Sequence, residues 1–448
     1  MAESGSRAVV LGAGIAGLLA ARVLSERYGS VIVVERDALP DHPEQRKGVP
    51  QGRHLHQFLS RGVQVIGEMF PGLLAELDAA GAVVDDGGDL SRTYVRVFGY
   101  ELTPAGRLTD PAALAAYQAS RPFMEFHLRR RVGALDNVTI LDEHDALGAV
   151  LSDGSVTGAR VVNRRNGNET LLPAELVIDA TGRAGHSANV LTSNGFGTPP
   201  EERVPSVLGY SSQLMRVPAG CIADRLAFVN EGVKAHGALL VAYEHDTWML
   251  AIACPTAVGG PPRDVDEMLD VAGRLLPERI AAGLRKGEPL GAISVARTTS
   301  AVWRRYDRVP RHPAGLIVLG DALCQFNPLY GQGMTMAALQ ALELRHCLRD
   351  GGVDLPRRFY AAAARQIGPV WAVNRANDRP PSPEATRTWR QRFETWMQRA
   401  ALQAATTDIA VTERILRVRG LIDPPDRLRD PALLLRILRT ARPRHRHA

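Results

Sequence analysis

A glycine-rich stretch near the start of the chain has the residue types and spacing that bind a pyrophosphate. It reads GAGIAG at residues 12–17, and an acid, Glu35, follows eighteen residues after Gly17. Gly12 permits a tight turn, Gly14 lets the backbone approach a pyrophosphate, and Gly17 lets a helix pack closely on a strand. Glu35 can accept hydrogen bonds from a ribose hydroxyl pair. The stretch therefore predicts a dinucleotide site, the alternative being a turn used only for packing.

A second stretch with the chemistry of an anion site occupies residues 320–336 and begins GDALCQFNPLYGQGM. An unbroken apolar run at 316–319 precedes it and predicts a buried parallel strand, while a helical pattern over 334–348 follows. A strand, an aspartate, a turn rich in Gly and Pro and a helix start together aim backbone N–H groups and the positive end of a helix dipole at negative charge. We therefore expect this stretch to contact an anionic ligand.

Cations and histidines between these motifs are further candidates. The loop at residues 46–54, RKGVPQGRH, holds cations that could contact phosphates or form solvated surface. Arg121 precedes a helical pattern over 121–132 and is a similar candidate. His54 and His56 could be ligands or bases, but an isolated histidine is more often a structural hydrogen-bonding group. The residues alone leave these alternatives open.

These motifs require a parallel sheet that brings them to one edge. Apolar runs predict buried strands at residues 8–11, 31–34, 138–141, 176–179 and 316–319. The fourth run ends in Asp179 and continues as Ala-Thr-Gly-Arg, so a second strand ends in an aspartate with a glycine just beyond. The carboxyl ends of parallel strands lie at one edge of a sheet. The runs therefore indicate one sheet that contacts a single elongated cofactor.

Residues 206–306 have a different pattern and predict a second domain. Strand patterns run over 207–217, 226–230, 238–243, 247–253 and 293–303, with a single helix at 264–276. Runs of strands without intervening helices indicate an antiparallel sheet. The expected fold class is therefore α/β, with a discontinuous Rossmann-like domain, an inserted antiparallel β-sheet substrate domain and a C-terminal helical region.

The expected boundaries follow from these patterns. The nucleotide-binding domain comprises residues 1–90, 118–190 and 295–350, and the substrate domain comprises 91–117, with a strand over 91–101, and 195–294. The helical region is 351–448, with two or three helices between 384 and 439. Its segment 433–438, with Arg436 and Arg439, could form a basic amphipathic helix that touches a membrane or a partner. A helix packed on its own domain is the favoured alternative.

Composition excludes several classes of protein. A chain of 448 residues, 45% hydrophobic and 23% charged, predicts two or three packed units of ordinary globular character. It has no apolar run of the 18 or so residues that span a bilayer and no signal-peptide pattern, so we expect a cytoplasmic protein. Its 4 cysteines are widely spaced without a CxxC pair, which argues against disulfides and a metal site. The net charge of +6 comes from dispersed arginines, so nucleic-acid binding is not expected.

The order of the motifs resembles that of FAD-dependent monooxygenases of the para-hydroxybenzoate hydroxylase fold. The matching motifs are GAGIAG with Glu35, DATGR at 179–183, and Gly320-Asp321 with Pro328 and Gly331. The chain is similar more specifically to bacterial polyether epoxidases, which oxidise alkenes of polyketide chains. That likeness rests on RKGVPQGRHLH at 46–56 and on GDALCQFNPLYGQGM. It covers most of the first 350 residues and is weakest after about residue 370.

The resemblance implies noncovalent FAD, with Cys324 as a buried packing thiol. The glycines of the first motif would hold the pyrophosphate, Glu35 the adenosine ribose and Asp321 the ribityl or pyrophosphate part. Ala146 would lie by the adenine, and backbone groups at Pro328, Gly331 and Gly333 would lie at the flavin ring. The implied cofactor-binding residues are Gly12, Gly14, Ile15, Ala16, Gly17, Glu35, Arg36, Arg46, Lys47, Arg121, Ala146, Gly320, Asp321, Pro328, Gly331, Gly333 and Met334.

The implied activity is insertion of one oxygen atom from O₂ through a flavin C4a-hydroperoxide. The expected reaction is epoxidation or hydroxylation of a small, apolar, polyketide- or terpenoid-like natural product. No second dinucleotide motif occurs, so NAD(P)H would bind transiently or a separate flavin reductase would supply electrons. The residues name no catalytic base, which an epoxidation does not require. No membrane contact is expected.

Three alternatives share the fold. A flavin dehydrogenase or prenyl reductase would consume no oxygen. A flavin halogenase is less favoured, because its WxWxIP stretch is missing and none of Lys47, Lys234 and Lys286 is a convincing catalytic lysine. An escort protein that kept the fold without turnover would bind no flavin.

Overall fold

The computed structural model describes residues 3–257, 259–296, 300–378 and 388–440. Within these ranges the strands are β1 (Glu3–Leu11), β2 (Tyr28–Val34), β3 (Val83–Asp85), β4 (Thr93–Val97), β5 (Tyr100–Glu101), β6 (Ala116–Gln118), β7 (Val138–Leu141), β8 (His144–Ser152), β9 (Ser155–Asn163), β10 (Glu169–Pro173), β11 (Leu176–Asp179), β12 (Glu201–Pro205), β13 (Leu208–Arg216), β14 (Leu226–Asn230), β15 (Gly237–Ala242), β16 (Thr247–Pro255), β17 (Glu288–Ala296), β18 (Ser300–Arg304), β19 (Leu316–Val318) and β20 (Cys324–Gln325). The helices are α1 (Ile15–Leu24), α2 (Ser60–Met69), α3 (Leu73–Ala79), α4 (Arg121–Gly133), α5 (Ser187–Ser193), α6 (Val265–Leu275), α7 (Glu278–Leu284), α8 (Gly333–Asp350), α9 (Leu355–Asp378), α10 (Trp389–Ala405), α11 (Ile409–Arg419) and α12 (Pro431–Thr440).

A five-stranded parallel sheet forms the centre of the first domain. Its strand order is β19-β11-β1-β2-β7, and every pairing is parallel. The strands are rich in Val, Ile and Leu because they share one core with helices such as α1 and with residues of β9, including Val161. Glu35 follows β2, Asp179 ends β11, and Asp321 lies three residues after the end of β19. The three acids therefore lie at the same edge, and the predicted α/β fold class is confirmed.

A seven-stranded sheet forms the second domain, in the order β17-β13-β16-β15-β14-β4-β5. Its pairings are antiparallel except for the parallel pair of β4 and β14. One face packs on α6 and α7 through a cluster that includes Leu250 and Met268. The opposite face is turned toward the first domain, where the loop after residue 53 reaches it. The inserted sheet thus lies over the edge that carries the acids.

Three of the predicted elements are wrong in detail. The single strand expected over 293–303 is two strands, since β17 belongs to the seven-stranded sheet and β18 pairs with β12 and β20. Alternation of side chains cannot show which sheet a strand joins. The single helix expected at 264–276 is followed by α7, which is too short to show a clear period. The strand expected over 91–101 is broken between β4 and β5, where Phe98 and Gly99 both have positive φ.

The C-terminal helices pack on the second sheet. A cluster joins Ala404, Leu433 and Ile437 of these helices to Val95 and Phe228 of the sheet. Because Leu433 and Ile437 are buried, the segment 433–438 packs on its own chain, as the favoured alternative held. Among the described residues, no helix is long and apolar enough to cross a bilayer.

Candidate active site

The two glycine-containing turns predicted to bind one ligand meet at the edge of the parallel sheet. A Cβ built on Gly320 would lie 2.6 Å from the Cβ of Ala16. At Gly12, which has φ +101°, a Cβ would lie 2.6 Å from the carbonyl oxygen of Ala180, and at Gly17 it would overlap the Gly12 carbonyl. These glycines are required by contacts within the protein, so their presence alone does not demonstrate a ligand.

Gly14 differs from these glycines, because a side chain built at this position would face open space. The nearest atom to a Cβ at Gly14 is Nη2 of Arg121, 3.8 Å away. Gly14 precedes α1, whose first residue Ile15 is buried, and no side chain caps the first turn. The free N–H groups of that turn therefore face a gap whose far wall is a cation. This geometry suits a pyrophosphate.

Glu35 is held in place at the end of β2. Its Oε2 accepts a hydrogen bond from Ala13 N at 2.9 Å, and its Oε1 accepts one from Asp37 N at 3.1 Å. The buried Arg46 guanidinium lies 3.2 Å from Glu35, 3.2 Å from Asp37 and 2.6 Å from Glu125. Arg46 therefore joins three carboxylates from two parts of the chain, the segment after β2 and helix α4, and is not a free cation in this conformation.

Other predicted cofactor-binding residues lie around the cluster formed by Arg46 and its carboxylates. Lys47 and Arg36 are exposed, and Arg36 Nε is 4.0 Å from Asp37 Oδ1. Ala146 lies in β8 two residues after His144, whose N–H donates to the carbonyl oxygen of Glu35. The predicted adenine-side residue is thus close in the fold to the predicted ribose-side acid.

Arg121, at the start of α4, is a buried cation with unused hydrogen-bonding capacity. Its Nε has no partner in the part of the chain that the structure describes. Its Nη1 is 3.4 Å from His56 Nε2, and its Nη2 is 3.8 Å from Glu125 Oε2. Oε2 of Glu125 likewise lacks a partner there. Such orphaned buried groups are rare in folded proteins and indicate a missing ligand or water.

Asp321 is the matching acid on the other side of the gap. No hydrogen bond to its carboxylate is seen among the described residues. Burial raises the pKa of Asp321, and the positive charges of Arg121, Arg183 and Arg304 oppose that rise. A carboxylate near the Arg121 guanidinium, whose Nε is unsatisfied, offers an acceptor for hydroxyls next to a donor for phosphates.

The turn before α8 provides an open, uncapped helix start. Pro328–Tyr330 form a 3-10 turn, Gly331 has φ +65°, and α8 begins at Gly333 without a side-chain cap. No atom lies within 4 Å of a Cβ built on Gly331 or Gly333. Met334, by contrast, is buried. The positive end of an 18-residue helix therefore faces free space.

The end of α9 holds the turn before α8 in place. The sequence did not predict this contact. Asp378 accepts hydrogen bonds from the Tyr330 hydroxyl at 2.7 Å and from Asn327 Nδ2 at 3.1 Å. Asn374, one turn earlier, donates to Gln332 Oε1 at 2.7 Å. Nothing in the local pattern links α9 to a turn some fifty residues earlier, so only the fold could show the contact.

Two other motif residues have structural roles. Asp179 is fully buried and accepts four hydrogen bonds, from the N–H and hydroxyl groups of Thr181 and Ser187. It therefore shapes the loop that carries the exposed Arg183. Cys324 is 2% exposed, and burial raises the pKa of its thiol well above the usual value. A neutral buried thiol is consistent with packing.

The two histidines connect this site to the second sheet. His54 Nδ1 is 3.1 Å from Ser212 Oγ of β13, and the hydroxyl of Tyr243, the residue after β15, donates to His56 O at 2.6 Å. Burial and the Arg183 charge lower the pKa of His54 to about 4, while burial and Arg121 lower that of His56 to about 3. Both rings are therefore neutral at pH 7, and no His, Cys, Asp and Glu cluster among the described residues could hold a metal.

Glu125 is a further site residue that sequence reasoning missed. It lies four residues after Arg121 on α4 and is 4% exposed. The spacing of an acid four residues after an arginine was visible in the sequence. The contact of Glu125 with Arg46 was not visible in the sequence, because the two residues are 79 positions apart.

Comparison with known proteins places the chain in a family. No family model matches it. The chain is 36% identical over 436 residues to protein Rv3254 of Mycobacterium tuberculosis (strain ATCC 25618 / H37Rv), which covers 93% of this chain and 90% of that protein. The chain belongs to the Rv3254 family. This member is also 27% identical over 374 residues to a kynurenine 3-monooxygenase of Salinispora arenicola (strain CNS-205), covering 76% of this chain and 72% of that enzyme.

Solved structures show the fold of this Rv3254 family member. The p-nitrophenol 4-monooxygenase PnpA from Pseudomonas putida DLL-E4 superposes with a TM-score of 0.68 at 16% identity, over 94% of this chain and 99% of that one. The flavin-dependent brominase Bmp2 gives 0.64 at 15% identity, over 93% and 94% of the two chains. The chain therefore has the fold of flavin-dependent monooxygenases.

Proposed function

We propose that the chain is an FAD-dependent monooxygenase that epoxidises or hydroxylates an apolar, polyketide- or terpenoid-like compound. One observation carries the proposal: the gap beside Gly14 is faced by Arg121, whose buried Nε is unsatisfied and whose charge interacts with the Asp321 carboxylate. A sequence relative and a structural neighbour named as monooxygenases support the same reaction class.

The residues at the site fit FAD. The first-turn N–H groups of α1 and the Arg121 guanidinium would hold the pyrophosphate, and Glu35 would accept hydrogen bonds from the adenosine ribose. Asp321 would accept hydrogen bonds from ribityl hydroxyls. The open turn at Gly331 and Gly333 would lie against the ring. Bound FAD would supply the activation of O₂, with electrons from NAD(P)H or a separate reductase.

The chain's own contribution is positioning and electrostatics. The uncapped N-terminus of α8 would stabilise negative charge at the edge of the ring. Asp378 would keep the turn in place through Tyr330 and Asn327. The inserted sheet would cover the ring and exclude water. An epoxidation requires no base, whereas a phenol hydroxylation could use the neutral His54 as the proton acceptor.

The test is a labelling experiment. The purified chain is reconstituted with FAD, supplied with NADPH with and without a flavin reductase, and incubated with extract of the producing cells under ¹⁸O₂. We expect a product that gains one ¹⁸O atom only when the chain is present. Consumption of NADPH with no label in any product would contradict oxygen insertion and favour a dehydrogenase.

Halogenation is less well supported. The sequence has three lysines, and each of them is exposed on the surface: Lys47, Lys234 and Lys286. None of them is a convincing candidate for the catalytic lysine of a halogenase. The likeness to Bmp2 concerns the fold alone.

A further inference from the structure

The turn that connects β15 and β16 is a tight β-hairpin with a defined backbone. Its central residues, His245 and Asp246, both have positive φ, at +58° and +56°. Thr247 N donates to Glu244 O at 3.2 Å and closes the turn. This is the geometry of a type I′ turn, whose twist matches that of the two strands. The second sheet therefore presents Tyr243 and Glu244 from a fixed position.

Glu244 contacts the residue that caps helix α4. Its Oε2 accepts a hydrogen bond from Ser120 N at 2.8 Å, and its Oε1 accepts one from Ser120 Oγ at 2.5 Å. Ser120 Oγ in turn accepts a hydrogen bond from Phe123 N at 3.3 Å, which is the capping contact of α4. Glu244 is 8% exposed, so little water competes for these bonds. A carboxylate on the second sheet therefore fixes the first turn of α4.

Arg121 is the first residue of α4 and follows Ser120 directly. Its guanidinium faces the gap beside Gly14, and its buried Nε has no partner in the part of the chain that the structure describes. An arginine side chain has many rotamers, so its position in a binding site depends on the backbone that carries it and on the groups around it. The contact between Glu244 and Ser120 fixes that backbone.

Tyr243 holds the ring that lies beside the Arg121 guanidinium. Its buried hydroxyl donates to His56 O at 2.6 Å and accepts a hydrogen bond from His56 N at 2.9 Å. His56 Nε2 lies 3.4 Å from Arg121 Nη1. Two adjacent residues of the hairpin, Tyr243 and Glu244, therefore hold the imidazole next to Arg121 and the backbone that carries it.

Glu244 is not the counter-ion of Arg121. The charge of Arg121 interacts with those of Glu125, Asp321 and Arg46, whereas both carboxylate oxygens of Glu244 are bonded to Ser120. An effect of Glu244 on Arg121 is therefore transmitted through the backbone of the helix start.

We propose that Glu244 is a positioning residue for the cofactor, which through Ser120 holds Arg121 against the pyrophosphate of FAD. Tyr243 supports the same arrangement through His56. The inference rests on the proposed function for the identity of the ligand. It makes cofactor affinity depend on the docking of the second sheet, because the hairpin belongs to that sheet and the arginine belongs to α4.

The test compares FAD with riboflavin, which has the ring but no pyrophosphate, by quenching of flavin fluorescence on the purified chain. Glu244→Leu removes both acceptors and should weaken FAD binding about tenfold while leaving riboflavin affinity unchanged. Glu244→Gln keeps an acceptor for Ser120 N and should bind FAD within about threefold of the wild type. Glu288→Leu, at an exposed acid of the same sheet, should change neither affinity.

A double-mutant cycle with Arg121→Met separates positioning from general destabilisation. If Glu244 acts through Arg121, Glu244→Leu should cost no further FAD affinity in the Arg121→Met background. A loss of the same size in both backgrounds would overturn the inference, as would unchanged FAD affinity in Glu244→Leu or an equal loss for FAD and riboflavin. Urea denaturation of each variant establishes that it is folded under the conditions of the titration.

Failure of the proposed function gives a different result. If the wild type binds no FAD but binds ADP in calorimetry, with the same dependence on Glu244 and Arg121, the positioning role holds for another nucleotide cofactor. If it binds neither FAD nor ADP, both the proposed function and the positioning role are refuted.

Discussion

A side chain at Gly14 would enter the gap beside Arg121, whereas one at Gly17 would collide with the protein itself. The two positions therefore separate ligand binding from folding. Glycine motifs of this kind combine both requirements in six residues, and the sequence cannot tell them apart. The contacts in the fold distinguish the two requirements.

Gly14→Val should abolish FAD retention while leaving the fold intact, because its side chain would occupy the space of the pyrophosphate. We expect at least a 100-fold loss of FAD affinity, measured by quenching of flavin fluorescence. Gly17→Val is the matched control and should instead lower the free energy of unfolding, measured by urea denaturation. Unchanged FAD affinity in Gly14→Val would show that the gap is not the pyrophosphate site.

Cys324→Ser should leave flavin binding unchanged, since the buried neutral thiol is a packing group. Acid precipitation should release the flavin from wild type and variant alike. Acid-stable flavin in the wild type that is absent in Cys324→Ser would demonstrate a covalent bond instead.

The histidines make folding stability depend on pH. The folded-state pKa of His54 is about 4, below the usual histidine value of 6.5, because the ring is desolvated and lies near the Arg183 charge. Below pH 6.5 the unfolded chain takes up a proton that the folded chain does not, so the free energy of unfolding falls as the pH falls. The loss between pH 6.5 and pH 5 should be on the order of 2 kcal/mol.

His54→Gln should remove most of this contribution, measured by urea denaturation at pH 7 and pH 5. His42→Gln is the control, since His42 lies fully on the surface and its pKa is raised by Asp41. An equally steep loss of stability in His54→Gln and wild type would contradict a neutral, partly buried His54.

At the scale of elements, the turn before α8 depends on a contact with the end of α9. The apolar runs of the parallel strands were predictable because both faces of that sheet are buried, and two of them, β7 and β11, begin and end where the pattern indicated. The partners of Asp378 were not predictable, because nothing in the local pattern indicates which distant segment contacts it. The change of sheet between β17 and β18 was not predictable for the same reason, since local pattern does not indicate which distant strand a segment pairs with. Helix α7 was missed because it is too short to show a clear period.

Asp378→Ala should weaken FAD binding about tenfold and shift the visible bands of the bound flavin, because Tyr330 and Asn327 lose their shared acceptor. The free energy of unfolding should fall by about 1–3 kcal/mol. Asp350→Ala, at the exposed end of α8, should alter neither property. A normal flavin spectrum and affinity in Asp378→Ala would show that α9 does not position the turn.

At the scale of the whole molecule, three units meet at one cleft. The parallel sheet supplies Glu35, Asp179 and Asp321, and the second sheet supplies the floor. The C-terminal helices, where the sequence resemblance is weakest, pack on the second sheet through a cluster that includes Ala404 and Phe228. The meeting of the predicted cofactor-binding turns at one sheet edge was therefore predictable from motifs. The packing of the C-terminal helices on the second sheet was not, because no local motif marks it.

Ile437→Ala should lower the free energy of unfolding by about 2–4 kcal/mol, because it leaves a cavity between α12 and the second sheet. Ile437 is fully buried, whereas Leu438 beside it is 45% exposed. Leu438→Ala should therefore change stability by less than about 0.5 kcal/mol. Urea denaturation compares the two, and equal effects would show that α12 is not docked on the sheet.

The central claim is that the two glycine turns and Arg121 form one noncovalent FAD site. Titration of FAD into the purified chain, followed by flavin fluorescence and by the visible spectrum after gel filtration, tests it most directly. We predict saturation at one FAD per chain and a yellow protein that loses its colour in Gly14→Val. A colourless chain whose fluorescence titration shows no quenching would contradict the claim.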